Sequence, residues 1–296
     1  MVTSRYYRVA DLTFGFTAEE QVFDLLPNYA PFAVEATEAD LFHLTVTNDS
    51  CPVDETTLNA FFTDKSDEDM PRIELYRLPE QWLLCVSMYR DSETCCRILA
   101  SRDWTKATLY MSTPQQRFAV DNAAMLLYAF TACFQEALTL HASVIRYEGN
   151  GYFFLGKSGT GKSTHSRQWL SAFPEAELMN DDNPILRLVD GKPVIFGSPW
   201  SGKTPCYKNM CAPVRGIVQL KQAPENSYEH LRLPAAYAYM LSSSSGLKII
   251  PEVMDALYAT IATVVQSVPT ILLSCLPNED AARMSYQALN TLAHKM

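Results

Sequence analysis

Between Gly156 and Thr164 the chain reads Gly-Lys-Ser-Gly-Thr-Gly-Lys-Ser-Thr, directly after the apolar run Tyr152-Phe153-Phe154-Leu155. Glycines at 156, 159 and 161 let a backbone turn tightly and bring its amide N–H groups onto phosphate oxygens without a Cβ in the way. The chemistry this spacing suits is the binding of a phosphate chain. Lys162 would neutralise the outer phosphates and the Ser163 hydroxyl would hold a bridging Mg²⁺, while Lys157, Ser158, Thr160 and Thr164 complete the cradle, Lys157 adding positive potential. Asp181 and Asp182 follow, the first 18 residues after Ser163. One carboxylate can reach the metal, directly or through water. Neighbouring side chains in a strand point in different directions, so the other is free to take a proton from an incoming hydroxyl. The residues leave open which aspartate does which. ATP and Mg²⁺ are the expected cofactors.

A phosphate loop needs a strand to deliver it and a helix to follow it. Residues 152–155 read as that strand, and Thr164 to Phe173 as the helix, ended by Pro174. A short strand at Glu177-Leu178-Met179 then delivers Asn180-Asp181-Asp182-Asn183. Upstream, Leu140 to Tyr147 reads as a strand, and the turn Glu148-Gly149-Asn150-Gly151 makes it a hairpin partner of the loop strand. A lone histidine is more often structural than chemical, but this hairpin would set His141 beside the phosphate-loop end of its neighbour. An antiparallel entry differs from the parallel βαβ sheets that usually carry such loops. Further on, 185–188 and 194–197 form a second hairpin, Gly216 to Leu220 a strand, and Thr270 to Cys275 another. Helices are expected near 233–242, 252–266 and 278–294.

Residues 1–115 read as a β-rich domain, with strands at Leu41 to Val46, Ile73 to Leu78, Trp82 to Met88 and Thr108 to Met111. Turns are expected at 48–50, 63–67 and 90–92. Nothing there has catalytic spacing. A helix from Arg117 to Leu138, apolar on one face at Val120, Ala124, Leu127, Tyr128, Thr131 and Phe134, opens the second domain, 116–296. The 296 residues carry a formal net charge of −9, which opposes nucleic acid as a partner. No apolar stretch is long enough to span a bilayer and the amino terminus does not resemble a signal peptide, so a cytoplasmic protein is expected, with no membrane partner. Eight cysteines without a CxxC pair read as reduced thiols rather than a metal site.

The ordered motifs His141-Ala142-Ser143-Val144, Gly149 and Gly151, the loop Gly156 to Ser163, and Asp181-Asp182 resemble those of the HPr kinase/phosphorylase family, over roughly residues 140–220. The resemblance implies an α/β fold with a phosphoenolpyruvate carboxykinase-like nucleotide-binding domain, a mixed sheet carrying the phosphate loop, plus the small β-rich amino-terminal domain. It implies active-site roles for His141, Lys162, Asp181 and Asp182, with an aspartate acting as base toward a serine hydroxyl. Thr164 stands where HPr kinases usually place glutamate, and their HPr-binding signature is not recognisable. The chain is more similar to the HPr-kinase-like proteins of bacterial gene clusters, among them kinases of lasso-peptide precursors, which share the Pro199-Trp200-Ser201-Gly202 segment. Lys203, after that segment, and Arg215, before the next strand, are candidates to meet a phosphoryl group or substrate anion. The expected activity is therefore ATP-dependent transfer of a γ-phosphoryl group to a hydroxyl of a protein or peptide, with a homo-oligomer left open. The alternatives are a nucleotide-binding regulatory module without transfer and a carboxykinase-type lyase. Trp200 fits a lid, a base stack or loop packing equally, and His165 a packing role.

Overall fold

The computed structural model describes residues 1–36, 38–64, 71–89, 94–111, 116–202 and 204–293. The expected turn at 90–92, most of the one at 63–67, and Lys203 lie outside the described residues. Internal contacts divide the chain into Met1–Thr131 and Ala132–Met296.

The first unit holds strands β1 (Val2–Val9) and β2 (Leu12–Glu19), a short helix α1 (Glu20–Asp24), then β3 (Ala33–Val34), β4 (His43–Thr47), β5 (Phe62–Thr63), β6 (Arg72–Arg77), β7 (Gln81–Ser87), β8 (Thr94–Ser101) and β9 (Lys106–Met111), and helix α2 (Gln116–Ala132). The strands form one mixed sheet in the order β3-β1-β2-β4-β9-β8-β7-β6-β5, parallel where β4 meets β2 and β9. Phe14, Phe16, Tyr29 and Phe42 are fully buried, and the Tyr128 hydroxyl on α2 donates to the Val9 carbonyl at 2.9 Å. This unit therefore takes α2, which the sequence placed with the second domain. The helix also stops earlier than expected. It ends at Ala132, and Glu136 at φ 56° turns the chain into a strand, which leaves Phe134 outside the apolar face and half exposed.

In the second unit the elements are β10 (Ala137–Thr139), β11 (Ala142–Tyr147), β12 (Asn150–Leu155), α3 (Lys162–Ala172), β13 (Glu177–Asp182), β14 (Ile185–Val189), β15 (Lys192–Phe196), β16 (Cys211–Gln222), β17 (Ser227–His230), α4 (Leu233–Ser243), α5 (Pro251–Ser267), β18 (Thr270–Cys275) and α6 (Glu279–Ala293). The sheet runs β10-β14-β15-β16-β12-β11-β13, with β18 also on β16 and β17 beyond it. β12 is antiparallel to β11 and parallel to β16, so the sheet is mixed at the strand that delivers the loop. Alternation along β12 divides its side chains between two cores. Phe153 and Leu155 join the one that includes Leu257, Ile261 and Val264 of α5, whereas Tyr152 and Phe154 pack with Trp169 of α3 and Leu289 of α6. Helices therefore cover both faces, and burying each of these large side chains contributes about 1.5–3 kcal/mol to a fixed register. A slip of one residue would exchange the two cores.

Candidate functional site

Register alone brings the loop, the histidine and both aspartates to one end of the sheet. Ala142 on β11 faces Leu155 on one side and Asp182 on the other, and Ser143 faces Phe154 and Asp181. His141, one residue before β11, thus lies between the start of the loop at Gly156 and the end of β13. The loop itself turns through Gly159 at φ +77° and Gly161 at φ +106°, backbone that side chains rarely adopt, and feeds directly into α3. From the end of β16, the Gln222 amide donates to the Gly159 carbonyl at 3.2 Å and restrains the loop tip.

Lys162 is buried, and its ammonium is held by three acceptors: the Gly156 carbonyl at 2.9 Å, the Lys157 carbonyl at 3.3 Å and His141 Nε2 at 2.7 Å. An ammonium can only donate, so Nε2 is the acceptor and the imidazole proton sits on Nδ1, which lies 2.9 Å from Asp182 Oδ1. Burial pushes the Lys162 ammonium below its ordinary pKa, and the Asp182 and Asp181 charges oppose that shift.

The two aspartates have different partners because a strand alternates its faces. Asp181 is buried and accepts from the Ser163 hydroxyl at 3.0 Å. Asp182 turns to His141 and also accepts from the Asn183 amide at 3.1 Å. Its backbone has φ 129°, and a Cβ on Gly202 would come within 3.1 Å of the Asp182 Cβ, so only glycine fits there at ease. The Gly202 N–H and the Ser201 hydroxyl both donate to the Asp181 carbonyl, at 2.7 Å and 3.1 Å. Asn180, fully buried, donates to the Ser198 hydroxyl at 3.1 Å and the Trp200 carbonyl at 3.0 Å. The Pro199-Trp200-Ser201-Gly202 segment is thus a clamp on the end of β13, and Trp200 is 4% exposed, packed rather than open.

Among the described residues, two clefts flank the loop. The larger, ≈ 670 Å³, is lined by His141, Lys157, Gly159, Lys221, Ser242 and Ser243 among others. The smaller, ≈ 490 Å³, has an apolar wall of Leu220, Leu276 and Pro277 beside Thr164. His165 sits behind the loop in the core, where burial pushes its pKa down to about 3.

Arg215 does not join the site. In the parallel pairing of β12 with β16, Val214 and Gly216 face Gly151 and Tyr152, while Gln219 faces Leu155. Arg215 therefore stands at the far end, about 13 Å from the loop at the usual rise per residue. There its Nε donates to Asn290 at 3.1 Å, in a separate polar hollow. Asn180, Ser201, Gly202 and Gln222 make the supporting contacts, and they carry no motif of their own beyond the Pro-Trp-Ser-Gly run. Among the described residues no group of three or more His, Cys, Asp or Glu side chains could hold a metal unaided, and the described cysteines are free. No helix among them is long and apolar enough to cross a membrane.

No protein-family model matches the sequence, and no curated protein does. Among solved structures the chain is weakly similar to the HPr(Ser) kinase/phosphatase from Coxiella burnetii, with 15% identity, a TM-score of 0.32, and coverage of 52% of this chain and 97% of that one. The fold described above stands on its own strand pairing rather than on this likeness.

Proposed function

We propose that the chain is an ATP-dependent phosphotransferase of the HPr-kinase-like kind, on a carboxykinase-like nucleotide-binding core, which moves the γ-phosphoryl group to a serine-type hydroxyl of a protein or peptide. One observation carries this reading. A glycine loop with its lysine, a hydroxyl–carboxylate pair and a separate carboxylate–imidazole pair all meet at the end of β12, which is the set of parts that phosphoryl transfer to a hydroxyl needs.

The loop amides and Lys162 bind the β- and γ-phosphates, and the base of the nucleotide fits the smaller, apolar cleft beside Thr164. Ser163 Oγ and Asp181 Oδ1, 3.0 Å apart, are hard oxygen donors side by side and would hold Mg²⁺. A pair of protein oxygens suits that ion, which keeps phosphate oxygens and water as its other ligands. When bound, it would neutralise charge on the phosphates. Asp182, oriented by His141, takes the proton of the acceptor hydroxyl. The chain's own contribution is positioning and charge, with no covalent intermediate.

The test compares wild type with Lys162→Ala and Asp182→Asn, reading nucleotide affinity, ADP release and labelling of acceptors from γ-labelled ATP. Lys162→Ala is expected to lose nucleotide binding. Asp182→Asn is expected to keep it while transfer falls by about 10²–10⁴. Wild-type transfer by the Lys162 variant, or nucleotide binding by the native chain with neither turnover nor labelling, refutes the reading.

A further inference from the structure

At the end of α4 the sequence runs Ser242-Ser243-Ser244-Ser245, and the fold brings this run against the site. Leu140 and Ser244 form an antiparallel bridge, flanked by the His141 N–H to Ser243 carbonyl bond at 2.7 Å and the Ser245 N–H to Thr139 carbonyl bond at 2.8 Å. That register makes His141 and Ser243 directly opposite residues. Ser243 closes the last turn of α4, and its carbonyl is held by the His141 N–H, which seats it beside the start of β11. Both do line the larger cleft, together with loop residues 156–160 and Lys221.

The serines differ in what their hydroxyls do. Ser242 donates back to the Tyr239 carbonyl at 2.9 Å, and Ser244, buried, donates to the Leu241 carbonyl at 2.9 Å. Ser243 makes neither bond, and its hydroxyl has no partner among the described residues. It is a partly exposed hydroxyl on the cleft that is also lined by His141, whose imidazole touches Lys162.

We propose that Ser243 is a modification site: it accepts the γ-phosphoryl group from ATP bound on its own chain. The inference rests on the phosphotransferase reading above. In the step, the bond from the γ-phosphorus to the β,γ-bridging oxygen breaks and its electron pair leaves with ADP. A bond from Ser243 Oγ to the phosphorus forms, and the hydroxyl proton passes to the Asp182–His141 pair. The phosphoserine, carrying about two negative charges, would then face Lys157 and Lys221 in the same cleft and compete with the phosphates of the next nucleotide.

The experiment incubates the full chain with Mg²⁺ and γ-labelled ATP and follows ADP release, intact mass and the labelled peptide together. The expected result is a gain of about 80 Da mapped to Ser243. Its first-order rate should not change on dilution, since the transfer is within one chain. Ser243→Ala is expected to abolish the label and Ser243→Thr, which restores a hydroxyl, to recover it. ADP release or labelling of another protein with Ser243 unmodified overturns the inference and leaves the phosphotransferase reading standing, as does label confined to another residue. A rate that rises with protein concentration overturns transfer within one chain. Nucleotide binding without ADP or label removes both.

Discussion

Replacing His165 by glutamine should flatten the acid side of the stability curve. The imidazole is 4% exposed, edge-on to Phe154 with ring centroids 4.7 Å apart, and its Nε2 accepts from the Trp169 indole N–H at 3.2 Å. Burial pushes its pKa down to about 3 in the folded chain, against an ordinary value of about 6.5 once unfolded. The unfolded state therefore binds the proton first, so His165 costs nothing above about pH 6.5 and destabilises the fold progressively as pH falls from there toward 3. At pH 5 the difference is about 1.5 pH units at 1.36 kcal/mol each, or about 2 kcal/mol. Urea unfolding of wild type and His165→Gln at pH 7.5 and pH 5, followed by tryptophan fluorescence, to which Trp169 and Trp200 of the second unit contribute alongside Trp82 and Trp104, measures it. The variant loses a hydrogen bond and some packing at both pH values, and the informative quantity is the difference between the two differences. If the variant loses as much stability between pH 7.5 and pH 5 as wild type does, the argument that His165 stays neutral in the core is wrong.

Two further outcomes follow from the site. Gly202→Ala places a Cβ 3.1 Å from that of Asp182, which should shift the carboxylate by a few tenths of an ångström; transfer should fall at least about tenfold while nucleotide affinity stays within a factor of two or so, as calorimetry and steady-state kinetics will separate. His141→Ala removes an acceptor that competes for Lys162, worth about 1 kcal/mol, so nucleotide affinity should rise by up to about fivefold while transfer drops, and weaker binding would contradict the assignment.

How much of this was legible in the sequence depended on how local each feature is. Glycine spacing and the following lysine are written within nine residues, and apolar runs marked β18 at Thr270–Cys275 to the residue. The β1–β2 hairpin leaves little mark on the sequence because β1 alternates irregularly, with Arg5 and Arg8 among its side chains and several exposed positions. Arg215 reads as a site candidate from its place before an apolar strand, but adjacency to a strand does not say which end of the sheet a residue occupies. Parallel pairing with β12 aligns starts with starts, and the loop follows the other end. Ser243 could not be seen from its serine run at all. What singles it out is a bridge between residues 140 and 244, a contact across more than a hundred residues.

The loop lysine joins these features into one device. The three donors of Lys162 are shared among three protein acceptors, so on the proposed reading a phosphate oxygen takes the place of one of them. The Gly156 carbonyl is buried, and leaving it without a donor costs about 1–3 kcal/mol, whereas the Lys157 carbonyl belongs to an exposed residue and keeps the Thr160 N–H at 3.1 Å when Lys162 leaves it. His141 also differs from Gly156, because its side chain is 39% exposed and Nε2 can take a hydrogen bond from water or from a hydroxyl in the cleft. The acceptors that Lys162 gives up at least cost are therefore the imidazole and the Lys157 carbonyl. On the proposed reading, a phosphate oxygen that takes the place of Nε2 on Lys162 frees the His141–Asp182 pair that receives the hydroxyl proton, which ties that freeing to the presence of a phosphoryl group.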